Sequence, residues 1–189
     1  MTLNSADLIN NANKAGLVVP AFNIPYLPMM EPVIQALVDE DAFGLVEIAR
    51  LEWHKFEAQG PAAIAEEFAK WGKPDFVRLH LDHIPVIDED NLKVDYLPII
   101  KEAIGLGYQS VMIDGSRLDL DKNIAASKEV VAIAHAAGIP CEAELGAVLG
   151  HESGPPPPYE QLFASGQGFT DVGEAKRFVA ETGCDWLSV

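Results

Sequence analysis

The chain has 189 residues, of which 49% are hydrophobic, and this size and composition fit one globular domain with a substantial core. It carries 13 Lys and Arg against 29 Asp and Glu, a formal net charge of −16. Nucleic acids and anionic membranes are bound through basic patches, so the charge argues against either as a partner. No apolar run reaches about 18 residues, so no membrane span is predicted.

Short apolar runs alternate with amphipathic segments along the whole chain. The pattern predicts strands over 18–24, 44–50, 76–81, 110–114, 139–145 and 186–189. It predicts helices between them: one that Ser5 caps and that runs to Gly16, one with Pro32 in its first turn, and others over 62–71, 96–104, 122–137 and 171–183. Asp171 and Glu174 have the spacing of an N-cap and its partner three residues on.

The repeat of strand and helix predicts a parallel sheet, either doubly wound or a (β/α)₈ (TIM) barrel. No glycine fingerprint follows the first predicted strand, which disfavours a doubly wound dinucleotide-binding domain. Polar residues follow successive strands, as they do at the catalytic end of a barrel. A complete barrel needs roughly 250 residues. We therefore expect 1–189 to form a single, incomplete α/β TIM-barrel domain of about five and a half βα units that lacks the C-terminal part.

Two further features concern the loops and the thiols. The segment 146–168 is rich in glycine and contains Pro155–Pro158, and it is either a functional loop at the catalytic end or a solvated excursion. Cys141 and Cys184 are far apart among apolar residues, which predicts reduced core thiols. Reduced thiols and the absence of a signal-peptide pattern indicate a cytoplasmic protein.

The tetrapeptide His80-Leu81-Asp82-His83 ends the third predicted strand and offers the parts of a metal site. A neutral imidazole such as His83 is a common zinc ligand, and a carboxylate beside the metal, such as Asp82, can act as acid or base. Alternation along a strand would point these two side chains to opposite faces. We therefore expect the strand to end near Leu81. His80 either supports the metal ligands from behind or is structural, and we favour the structural interpretation. Taken alone, His83 would be an ordinary hydrogen-bonded residue.

Asp114 and Glu144 end the next two apolar runs, and neighbouring barrel strands would bring them together. Buried carboxylates are usually paired or bound to a metal. Asp114 could instead have a loop or capping role near Ser116. From composition alone, we would predict that Glu152 is an ordinary exposed glutamate and that Asn23 is a turn residue. Arg50 could bind an anion or pair with Glu47 or Glu52.

Taken together, these motifs resemble the class II, metal-dependent ketose-bisphosphate aldolases, which include the fructose- and tagatose-bisphosphate enzymes. The resemblance runs from about residue 5 to the end, and it is carried by Pro20-Ala21-Phe22-Asn23, His80-Leu81-Asp82-His83, Ser110-Val111-Met112-Ile113-Asp114-Gly115-Ser116, Asn123-Ile124, Glu142-Ala143-Glu144-Leu145-Gly146, Phe169-Thr170-Asp171, Glu174-Ala175-Lys176-Arg177-Phe178-Val179 and Thr182-Gly183.

The resemblance implies a TIM barrel with a catalytic divalent metal, usually zinc, and reversible cleavage of a ketose 1,6-bisphosphate to dihydroxyacetone phosphate and glyceraldehyde 3-phosphate. It implies that the complete protein forms a homo-oligomer. The implied roles are His83 as a zinc ligand, Asp114 and Glu144 as ligands of an alternative metal position, Asp82 and Glu152 as proton-transfer residues, and Asn23 as a substrate neighbour.

This chain departs from the family pattern in two respects. The two other zinc histidines and the glycine-rich phosphate loops of the family lie beyond the strand that begins at Trp186. The second strand reads Glu47-Ile48-Ala49 where better-known members have a Gln-Val-Ser-like motif. An alternative function is therefore a catalytically inactive half-barrel that serves only as a metal-binding or association module. A metal-dependent hydrolase is a third reading, which the absence of histidine from the first strand disfavours.

Overall fold

The computed structural model describes residues 3–146, 158–166 and 169–189. These residues form one six-stranded sheet in the order β1-β2-β3-β4-β5-β6, with every neighbouring pair parallel. The strands are β1 (Ala21–Asn23), β2 (Gly44–Ala49), β3 (Val77–Pro85), β4 (Ser110–Asp114), β5 (Cys141–Glu144) and β6 (Trp186–Ser188). The helices are α1 (Ser5–Lys14), α2 (Met30–Asp39), α3 (Arg50–Lys55), α4 (Pro61–Trp71), α5 (Tyr96–Gly105), α6 (Leu120–Ala136), α7 (Tyr159–Ser165) and α8 (Val172–Thr182).

The strand order confirms the partial barrel and excludes the doubly wound sheet. A doubly wound sheet reverses its strand order at a switch point, whereas here each strand lies beside the one that precedes it in sequence. Consecutive parallel strands joined through helices place all carboxyl ends at one edge, which is the catalytic edge of a barrel. The residues that follow the strands are therefore collected at one end of the molecule.

A continuous apolar core lies between the sheet and the helices. Strands β2 to β5 are buried along nearly their whole length, as parallel strands with helices on their outer face should be. Helices α6 and α8 pack together over this core, and Phe178 of α8 is fully buried. Both cysteines are free and buried, as predicted.

Several predicted boundaries were wrong for local reasons. Strand β1 is shorter than predicted because it begins after Pro20, which has no N–H for the ladder, and Val18 is exposed. The N-cap of α1 is Asn4, whose side chain accepts from the N–H of Asp7, and Ser5 is the first helical residue. Asp171 caps α8 as predicted, and its carboxylate accepts from the N–H of Glu174 at 2.9 Å.

Two short helices, α3 and α7, were not predicted, because neither is long enough to show a helical apolar period. Within the described parts of the chain, no helix has the length and hydropathy that a membrane crossing requires.

Candidate active site

An irregularity in β3 determines how the site is built. The pairing of β3 with β4 shifts register between Leu81 and Ile84, and His83 has a φ of 36°, in the left-handed region. The prediction that the strand ends near Leu81 was wrong, since it continues to Pro85. A bulge changes the facing of side chains without ending the strand, and it lets Asp82 and His83 border the same cavity.

His83, Asp114 and Glu144 come from three neighbouring strands and form a compact cluster. Each offers one ligand atom, and these atoms lie within 4.8 Å of one another. Nδ1 of His83 lies 3.4 Å from Oδ2 of Asp114 and 3.2 Å from Oε2 of Glu144. Oδ1 of Asp114 accepts hydrogen bonds from the N–H and the hydroxyl of Ser116, so Asp114 has both the loop contact and the cluster position that the sequence left open.

The pKa values in this cluster are set by burial and by the proximity of one imidazole to several carboxylates. Burial acts to lower the pKa of His83, but its hydrogen bond with Asp114 and the charges of the nearby carboxylates raise it to about 9. Burial, with the charge of Asp114, raises the pKa of Glu144 to about 7. Burial also acts to raise the pKa of Asp114, but hydrogen bonds from His83 and Ser116 outweigh it, and the net shift is downward.

The donor atoms of this cluster fit a divalent transition metal. One imidazole nitrogen and two carboxylate oxygens are ligands that zinc accepts. Oε2 of Glu144 is buried and accepts no hydrogen bond, which leaves it available to a cation. A bound ion would replace the proton that His83 otherwise carries among these carboxylates.

Asp82 lies beside this cluster and is held by a relay of polar contacts. Its side chain is almost buried, and its Oδ2 accepts a hydrogen bond from Nδ2 of Asn23 at 3.0 Å. The same amide lies 3.4 Å from Oε2 of Glu52, which also accepts from the N–H of Ala49. The interpretation of Asn23 as a turn residue was wrong, because it ends β1 and faces the cavity.

A cavity of about 560 Å³ opens beside Asp82 and His83. Its lining includes three glutamates that were not predicted as site residues, Glu47, Glu52 and Glu142. Burial and the charge of Asp82 raise the pKa of Glu47 to about 8 and that of Glu142 to about 7. The signal for Glu47 was its position in β2, since the parallel register places it beside His80.

His80 lies behind the cavity wall and is 1% exposed. Its Nδ1 is 2.8 Å from Oγ of Ser110, whereas its Nε2 has no hydrogen-bond partner and lies 3.5 Å from Oε2 of Glu142. Burial lowers the pKa of His80 to about 4, so the ring is neutral at physiological pH.

Arg50, for which the sequence offered an anion-binding or ion-pairing role, is not among the described residues that line the cavity. Arg50 pairs with Asp88 at 3.2 Å, and not with Glu47 or Glu52. The reason is that Arg50 begins α3 instead of ending β2, which turns its side chain toward the loop after β3. Glu152 lies outside the described residues, and its role stays a prediction.

Comparison with known proteins identifies the family. The family model "Fructose-bisphosphate aldolase class-II" matches residues 3–189. The fructose-bisphosphate aldolase of Treponema pallidum is 32% identical over 193 residues, covering 99% of this chain and 53% of that protein. The 6-phospho-5-dehydro-2-deoxy-D-gluconate aldolase of Bacillus licheniformis is 33% identical over 187 residues, covering 96% of this chain and 57% of that protein. The chain thus spans about half the length of these relatives.

A solved structure gives the same result. The crystal structure of the YdjI aldolase from Escherichia coli K12 superposes with a TM-score of 0.72 at 27% identity, over 99% of this chain and 63% of that one.

Proposed function

We propose a metal-dependent aldol cleavage for this protein, since the chain belongs to the class II fructose-bisphosphate aldolase family. The observation that carries the proposal is the placement of Asp82 against the His83–Asp114–Glu144 cluster at the carboxyl edge of the sheet. Nε2 of His83 lies 3.9 Å from Oδ1 of Asp82, so an acid/base group adjoins a set of metal ligands. The reaction proposed is reversible cleavage of a phosphorylated ketose to dihydroxyacetone phosphate and an aldehyde.

His83, Asp114 and Glu144 would hold the divalent metal, with zinc the ion we propose. When bound, the metal supplies Lewis-acid stabilisation of the negative charge that develops on oxygen as the carbon–carbon bond breaks. The bond to be broken lies beside a hydroxyl group whose proton must be removed. Asp82 is the base we assign to that proton, and it returns the proton in the synthetic direction.

Asn23 and Glu52 orient the base. The amide of Asn23 donates to Oδ2 of Asp82, which leaves Oδ1 directed toward the side of His83. Glu52 is fixed by the N–H of Ala49 and lies within 3.4 Å of the same amide. These hydrogen bonds therefore fix one carboxylate oxygen of Asp82 and leave the other free to contact the substrate.

The substrate we propose is fructose 1,6-bisphosphate or tagatose 1,6-bisphosphate. The named relatives act on more than one phosphorylated compound, so 6-phospho-5-dehydro-2-deoxy-D-gluconate belongs in the same assay panel. This chain has Glu47-Ile48-Ala49 where better-known members have a Gln-Val-Ser-like motif, and Glu47 and Ala49 line the cavity. The difference changes the part of the cavity that would distinguish such substrates from one another.

The test is release of dihydroxyacetone phosphate from each compound by the purified chain, with and without a chelator. We expect activity that EDTA removes and Zn²⁺ restores, and that Asp82→Asn lowers by about 10²- to 10⁴-fold. Full activity in EDTA, or in Asp82→Asn, would overturn the mechanism. Metal binding without turnover of any compound would favour the alternative of a half-barrel metal-binding module.

A further inference from the structure

We propose a second divalent-cation site in this protein, formed by Glu47, His80 and Asp82 on the side of β3 away from Asp114. Each of the three offers one ligand atom, and these atoms lie within 4.8 Å of one another. The set repeats the composition of the first cluster, with one imidazole and two carboxylates. It shares no residue with that cluster.

The buried ring of His80 is the observation that points to a ligand. The imidazole of His80 is buried, and its Nε2 has no hydrogen-bond partner. Burying a polar nitrogen without a partner costs free energy, so this atom calls for an explanation. In the tautomer in which Nδ1 donates to Oγ of Ser110, Nε2 presents a lone pair. A metal-bound histidine usually has this arrangement, in which the second ring nitrogen is fixed by a hydrogen bond.

The charges around Nε2 favour a cation over any other ligand. Oε2 of Glu142 lies 3.5 Å from it, and the carboxylates of Glu47 and Asp82 adjoin it. The described residues that line the cavity include no lysine or arginine to balance these groups. A divalent ion would supply the missing positive charge, and the mixed nitrogen and oxygen donors suit zinc, cobalt or manganese.

The strands position this site with few degrees of freedom. The parallel register pairs Glu47 with His80 and Ala49 with Asp82, so the ligands come from adjacent positions of β2 and β3. The cavity beside Glu47 and Glu142 gives an ion access from solvent. Because Asp82 is also the proposed base, an ion here would occupy the electron pair with which Asp82 accepts a proton.

The experiment is a Co²⁺ titration of the metal-stripped full chain, with binding followed calorimetrically and by the visible spectrum of the bound ion. Glu47→Gln removes one ligand charge of the second site, and Glu144→Gln does the same at the first cluster. Glu66→Gln, on the exposed face of α4, is the matched control. We expect Glu47→Gln to lose one equivalent of Co²⁺, or to bind it at least 10-fold more weakly, while Glu144→Gln keeps that equivalent and Glu66→Gln matches the unaltered chain.

Co²⁺ uptake by folded Glu47→Gln that equals the unaltered chain would overturn the proposal. A measurement on the unaltered chain guards against misfolding of the variant. With ¹⁵N-labelled histidine, Zn²⁺ should shift the Nε2 resonance of His80, and an unshifted resonance at saturating Zn²⁺ would contradict the site. Because both readouts are of binding, their failure is separate from any failure of the proposed aldolase activity.

Discussion

His83 is the residue on which metal binding at the first cluster depends most directly. It is the only nitrogen donor among that cluster's described residues, and it lies within 3.4 Å of both carboxylates. We expect His83→Ala to lose one equivalent of metal from washed protein, measured by elemental analysis, because the proposed Glu47–His80–Asp82 site does not include His83. His54→Ala, at an exposed position of α3, is the control and should keep it. An equal metal content in the two variants would show that the ion binds elsewhere.

Glu47 links the cavity charge to the pH dependence of stability. Burial raises its pKa from 4.5 to about 8 in the folded chain. Between these values the folded state keeps a proton that the unfolded state releases, so the stability associated with this proton is present at low pH and is lost as pH rises through 8.

Glu47→Gln cannot ionise and should escape this loss. In metal-free buffer, its unfolding free energy relative to the unaltered chain should rise by roughly 2 to 4 kcal/mol between pH 5 and pH 9. Urea unfolding at several pH values measures the difference, with Glu66→Gln as the exposed control. A difference that stays constant or falls with pH would mean that Glu47 is ionised in the fold.

At the scale of elements, a hydrogen-bonded contact between α6 and β5 fixes the position of Glu144. Nδ2 of Asn123 donates to the backbone carbonyl of Glu144 at 2.8 Å, and its Oδ1 accepts from the hydroxyl of Ser127. This amide fits because the facing residue of the loop after β4 is Gly115. A Cβ at that position would lie 2.1 Å from Oδ1 of Asn123.

Gly115→Ala should therefore displace the buried amide of Asn123 and break its two hydrogen bonds. We expect a loss of about 2 to 4 kcal/mol in unfolding free energy, since overpacking adds to unpaired polar groups. Gly105→Ala is the matched control, because a Cβ there meets nothing within 4 Å. Equal urea midpoints for the two variants would show that the close approach of Gly115 does not constrain Asn123.

The elements also show what sequence reasoning reached and what it missed. The apolar runs of β2, β4 and β5 and the cap of α8 were predictable, because burial and capping leave local patterns. The bulge in β3 was not, since it arises from pairing with β4 and has no glycine or proline at its centre. The roles of Glu47 and Glu52 also depend on register and on a short helix, which a single sequence does not fix.

At the scale of the whole molecule, six sequential parallel strands share one core, and this arrangement predicts cooperative unfolding. Cys141 in β5 and Cys184 before β6 report on it, being 0% and 8% exposed. Burial raises the pKa of both thiols, which suppresses the reactive thiolate. Burial also limits the access of a thiol reagent to the two sulfur atoms.

The folded chain should thus resist a thiol reagent such as 5,5′-dithiobis(2-nitrobenzoic acid), and both thiols should react together as the helical circular dichroism is lost in urea. The N–H of Cys141 donates to the carboxylate of Asp185, so β5 and the turn before β6 are tied and should open together. If Cys184 reacted quickly while the helical signal persisted, β6 would open independently of the core. Coincident transitions would instead show that the partial barrel behaves as one cooperative unit.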